Sequence, residues 1–70
     1  MIESRIDGEF SGWEGETVVN LVNGQIWKQS EYFYHYHYSF RPKVTISKEN
    51  GAYKMVVEGI PNSIRVERQK

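Results

Sequence analysis

The sequence predicts an all-β fold, and three observations carry that reading. Apolar and polar residues alternate with a period of two from one end to the other, β-branched and aromatic side chains crowd the alternating runs, and turn residues recur at short intervals. Nowhere do apolar residues persist at the i, i+3, i+4, i+7 spacing of an amphipathic helix.

Taken in order, a first strand is expected over residues 5–10. It runs into Ser11-Gly12-Trp13-Glu14-Gly15-Glu16, where two glycines three apart suit a loop with residues at positive φ. Residues 17–22 form the second strand. Asn23-Gly24 then predicts a type I′ hairpin turn, which needs φ > 0 at both central residues. The third strand, residues 25–30, places Trp27 on the face opposite Ile26. Residues 31–40 read as a long aromatic strand or a bent continuation of the third, ended by Arg41-Pro42 because proline cannot donate to a ladder. Residues 43–48 follow, with Val44 and Ile46 alternating against Thr45 and Ser47. Glu49-Asn50-Gly51 turns the chain into residues 52–58, where Tyr53, Met55 and Val57 share a face. Residues 59–63 read as a loop, and residues 64–68 close the chain with Ile64 and Val66 inward. Five to six short antiparallel strands in one domain spanning 1–70 suit a small SH3-like barrel, since closure covers edges that would otherwise invite pairing.

The segments Gly8-Glu9-Phe10-Ser11-Gly12-Trp13-Glu14-Gly15, Leu21-Val22-Asn23-Gly24-Gln25-Ile26-Trp27-Lys28-Gln29, Tyr34-His35-Tyr36-His37-Tyr38 and Arg41-Pro42-Lys43-Val44 together resemble a family of small uncharacterised bacterial all-β domains. The resemblance covers nearly the whole chain and implies an SH3-like fold. It brings no activity, cofactor or catalytic residue with it.

Composition narrows the function classes. The 70-residue chain has no cysteine, which excludes disulfide scaffolds, thiolate metal sites and cysteine nucleophiles and fits a reducing, cytoplasmic setting. No apolar run approaches the ~20 residues of a membrane span, and Met1 to Phe10 lacks the basic and apolar regions of a secretory signal, so no membrane partner is expected. The net charge is zero, which argues against a strong, sequence-blind nucleic-acid binder. The halves nevertheless differ: residues 1–35 carry two cations against six anions, and residues 36–70 seven against three. In a meander such charges interleave across strands into a mixed solvated surface.

The unusual stretch is Tyr32-Phe33-Tyr34-His35-Tyr36-His37-Tyr38-Ser39-Phe40. In a strand, Tyr32, Tyr34, Tyr36, Tyr38 and Phe40 line one side, and Phe33, His35, His37 and Ser39 the other. The five-ring row spans ~27 Å, longer than the core of so small a domain. On one reading the strand bends, buries two or three of the rings and leaves hydroxyls as the wet ends of apolar packing. On the other, Tyr34 and Tyr36, extended by Trp13 and flanked by Arg41, form an exposed platform that binds a peptide or protein partner. Trp27 beside its turn is either a further extension or a lid on the core.

Two alternatives stand beside that non-catalytic binding module. The rings could stack on bases of single-stranded RNA while Lys43, Lys54, Arg65 and Arg68, with Arg41, track phosphates. The aromatic strand could equally pair with its own copy, so that the chain is a monomer or a weak homodimer. His35 and His37 at i, i+2 project on one face, the arrangement of two metal ligands, yet a zinc site needs three or four; Glu31 or Glu58 would have to complete it, and no metal or cofactor is expected. Catalysis finds no phosphate loop and no nucleophile elbow, and an enzyme is not expected.

Overall fold

The computed structural model describes all of residues 1–70 and contains eight strands and no helix: β1 (Ile2–Arg5), β2 (Glu9–Glu14), β3 (Val18–Asn20), β4 (Ile26–Gln29), β5 (Tyr34–Phe40), β6 (Lys43–Glu49), β7 (Ala52–Val57) and β8 (Ile60–Arg68). No helix is therefore long and apolar enough to cross a membrane. Six strands form a curled antiparallel sheet in the order β1-β6-β7-β8-β4-β3, and β2 and β5 form a separate two-stranded sheet. The two outer edges of the curled sheet meet at a single bridge, Ile6 to Leu21, where Val22 N–H donates to the Arg5 carbonyl (2.9 Å) and Asp7 N–H to that of Asn20 (2.8 Å).

The alternating pattern produces this arrangement directly. Val44 and Ile46, Met55 and Val57, and Ile64 and Val66 point to the concave side, and Thr45, Val56 and Arg65 lie between them on the outside. Thirteen buried apolar residues form one cluster, with Phe10 and Trp13 of β2 set edge to face at 5.4 Å and Trp27 of β4 against Tyr53 of β7 at 5.2 Å. Trp27 is a core residue; its Nε1 donates to Gln25 Oε1 at 3.2 Å.

The five to six expected strands are eight, the aromatic strand begins at Tyr34 rather than at residue 31, and the largest departures from the pattern-based expectation fall at three places. The first expected strand is two: β1 ends at Arg5 and β2 runs from Glu9 straight through the segment read as a loop. Burial decides this, because Phe10 and Trp13 both turn inward although three residues apart. The expected type I′ turn at Asn23-Gly24 is a three-residue loop in which only Gly24 has positive φ (92°), and the Leu21 carbonyl accepts from Gly24 N–H at 3.0 Å. Asn23 instead caps the turn by accepting from Gln25 N–H at 3.0 Å through its side chain. The two-residue turn with both central φ positive occurs at Asn50 (50°) and Gly51 (82°), between the paired Glu49 and Ala52. Finally, β8 begins at Ile60, and residues 60–63 are strand rather than loop. Pro61 is accommodated because β8 advances from Ile60 to Ile64 while β7 advances only from Val57 to Met55, a bulge that asks no ladder bond of it.

Candidate aromatic docking surface

β5 is uncharged and alternates Tyr-His-Tyr-His-Tyr-Ser-Phe. Its sole sheet partner is β2, paired antiparallel from Glu9 opposite Phe40 to Glu14 opposite Tyr34. Because β2 supplies the bulky inward residues Phe10 and Trp13, the side of β5 opposite the tyrosines carries only the half-buried His37 and Ser39 and the exposed His35, and the tyrosines face solvent. Exposure is 86% at Tyr32, 61% at Tyr34, 79% at Tyr36, 53% at Tyr38 and 67% at Phe40. The strand therefore does not bend to bury two or three rings; all five stay out, with Tyr32 and Tyr34 edge to face at 5.0 Å.

Two residues that sequence reasoning missed hold this ribbon in place. Gly12, at φ 111°, lies so close to β5 that a Cβ there would overlap the His35 carbonyl oxygen and come within 2.8 Å of the His37 amide nitrogen. Gln29, 2% exposed, is the one buried polar side chain of the curled sheet. Its Oε1 accepts from Gly15 N–H (2.9 Å) and Thr17 N–H (3.3 Å), and its Nε2 donates to the carbonyls of Glu31 and Phe33 (both 2.9 Å). A single amide thus ties the turn after β2 to the approach of β5. The available signal was a polar residue two positions from Trp27, on the inward phase of β4.

The expected site residues separate. Tyr34 and Tyr36 lie together on the exposed row, and the Tyr34 hydroxyl rests against Gly15. Trp13 is 1% exposed and belongs to the core, because its ring packs edge to face on Phe10 within the apolar cluster. It reaches the site only as part of the lining of a shallow pocket of about 250 Å³, with Ser11, Glu14, Tyr34, His35 and Tyr36. Arg41 stands at the end of the row with its backbone fixed, its N–H donating to the Gly8 carbonyl (2.8 Å) and its own carbonyl accepting from Arg5 Nη1 (3.0 Å). A larger concavity of about 340 Å³ between Gly15 and Glu67 is lined almost wholly by polar groups, among them the Glu16 and Lys28 pair at 3.7 Å.

The basic residues do not join the aromatic row. Lys54 is paired with Arg65 on the outer wall of β7 and β8, Lys43 stands opposite Arg5 on β6 and β1, and Arg68 is opposite Trp27 at the end of β8. The charged side chains on the aromatic ribbon itself are the carboxylates Glu9 and Glu14. Glu9 Oε1 accepts a 2.8 Å hydrogen bond from the Tyr38 hydroxyl, which raises the Tyr38 pKa above its ordinary value; desolvation and the nearby negative charge of Glu9 add to the shift.

His35 and His37 share one face of β5, His35 exposed and His37 half-buried, and each is packed against an apolar or backbone neighbour. The His35 ring stacks on Phe33 (6.1 Å, 10° between planes), and His37 covers Gly59 in the β7–β8 turn. Glu31 accepts from Arg65 N–H at 2.8 Å and Glu58 from Lys43 N–H at 3.4 Å, so neither carboxylate completes a ligand set. No group of three His, Cys, Asp or Glu side chains is gathered anywhere in the chain.

Comparison with protein-family models, with curated proteins and with solved structures finds no match to this chain.

Proposed function

We propose that this chain is a non-catalytic binding module that docks an extended polypeptide along β5, on a small barrel of SH3-like type. The observation that carries the reading is the five-ring row at 53–86% exposure on a ribbon anchored by Gln29 and Gly12. Aromatic rings left in water on a rigid strand are costly to a small domain unless a partner covers them, and tyrosine offers large contact area with little conformational freedom to lose. Strand addition supplies backbone affinity, and the ring row supplies selectivity. The absence of cysteine suits a reducing, cytoplasmic setting. Between peptide and single-stranded RNA, the carboxylates Glu9 and Glu14 beside the rings favour peptide, since phosphates would meet like charge there.

The test is selection of a displayed random-peptide library against the wild type and against the Tyr34→Ser/Tyr36→Ser variant. Peptides that bind the wild type at least tenfold more tightly than the folded variant are expected. A parallel titration with mixed-sequence single-stranded RNA at low salt is expected to leave the tyrosine ring resonances unmoved. Ring shifts that fade with added salt, in the absence of library binders, would replace the peptide reading with the nucleic-acid one.

A further inference from the structure

We propose that the polypeptide docked on β5 is β5 of a second copy of this chain, paired antiparallel about a two-fold axis through Tyr36. The inference rests on the reading of β5 as a docking surface and names its occupant.

The first support is the open edge. Apart from its bonds to β2, no residue from Tyr34 to Phe40 makes a backbone hydrogen bond, and the strand carries neither the lysine nor the proline that commonly blunts a sheet edge. The direction of the free groups follows from Gly12. Opposite it stand the His35 carbonyl and the His37 amide, so these histidines bond toward β2. Alternation directs the N–H and C=O groups of Tyr34 and Tyr36 to the open side; Tyr38, whose ring shares their exposed face across the register shift between Phe10 and Gly12, is assigned the same direction.

The second support is the sequence of the edge. Tyr34-His35-Tyr36-His37-Tyr38 reads the same in both directions. Antiparallel self-pairing centred on Tyr36 therefore sets tyrosine opposite tyrosine and histidine opposite histidine, with Tyr36 exchanging both backbone bonds with its own copy and Tyr34 with Tyr38 of the second chain. The exposed rings of both copies then form one cross-strand aromatic array.

The third support is charge. β5 has no formally charged side chain, and it is flanked by Glu31 five residues before Tyr36 and Arg41 five residues after it. The same axis brings the Glu31 end of one copy to the Arg41 end of the other. Glu9 and Glu14 lie on β2, one strand farther from the axis, so the acidic borders of the two copies do not oppose each other. A single seven-residue edge is smaller than the ~1,200 Å² or more of a standard stable interface, which places the association in the weak, concentration-dependent class.

The test uses sedimentation and amide hydrogen exchange across a concentration series. For the wild type, the average mass is expected to rise toward twice that of the chain, with the Tyr34, Tyr36 and Tyr38 amides gaining protection as it rises. Tyr36→Lys and Tyr36→Glu place like charges on the axis and are each expected to be monomeric; mixed one to one they are expected to recover the dimer. Tyr36 is 79% exposed, so both variants are expected to fold, and their amide spectra verify it. A wild type that stays monomeric throughout overturns the inference, as does a dimer indifferent to both substitutions, or a mixture that does not reassociate. A monomer that still binds library peptides through Tyr34 and Tyr36 leaves the docking surface standing with another occupant; a monomer that binds none removes both.

Discussion

The Tyr38 hydroxyl donates a 2.8 Å hydrogen bond to Glu9 Oε1, joining the aromatic row of β5 to the acidic border of β2. Ionising the phenol would remove the donor and set a phenolate beside a carboxylate, so the folded chain holds that proton more tightly than the unfolded one. The bond's contribution to stability is thus fully present below the ordinary tyrosine pKa of 10.0 and is lost as pH rises through the raised folded value. Glu9→Ala is expected to bring the Tyr38 transition down toward 10.0, read from its ring carbon resonance during an alkaline titration. A transition that does not move would show that Glu9 is not the cause.

Gln29 is expected to matter more for the position of β5 than any residue within it. Gln29→Leu keeps the side-chain size but leaves two N–H groups and two carbonyls without their partner. A loss of about 2–4 kcal/mol is expected in denaturant unfolding, together with faster amide exchange at Gly15 and Thr17.

Gly12 and Gly24 provide a matched pair. Both have positive φ, but a Cβ at Gly24 meets nothing within 4 Å, whereas at Gly12 it meets the backbone of His35, Tyr36 and His37. Gly24→Ala is expected to cost about 1 kcal/mol from conformation alone. Gly12→Ala is expected to cost at least about 2 kcal/mol and to loosen the pairing of β2 with β5, seen as lost amide protection confined to that ribbon. Equal effects at the two positions would contradict the close approach.

Tyr36→Ala and Phe10→Ala separate surface from core. The first removes a ring that is 79% exposed and is expected to change the stability of the monomer by no more than about 0.5 kcal/mol. The second empties a site that is 4% exposed beside Trp13 and is expected to cost about 3–5 kcal/mol in thermal or denaturant unfolding.

The all-β class, the alternation of Val44 and Ile46, Met55 and Val57, and Ile64 and Val66, and the end of the aromatic strand at Arg41-Pro42 follow from local pattern, because side-chain period and proline chemistry are written residue by residue. The division of Tyr34 and Tyr36 from His35 and His37 onto opposite faces is equally local. Which face is wet was a tertiary matter, since it depends on β2 filling the core with Phe10 and Trp13 before β5 is laid over it. Trp13 looked like a loop residue because its glycine neighbours signal turns, and long-range burial overrode that signal. The two Asn-Gly pairs make the same point: only Asn50-Gly51 adopts positive φ at both residues, because only there do the flanking strands close directly on a two-residue turn. Sequence alone determined the alternation and the uncharged aromatic strand. Tertiary packing decided that this strand stands at an open edge, since a strand's exposure is set by what its neighbours already bury.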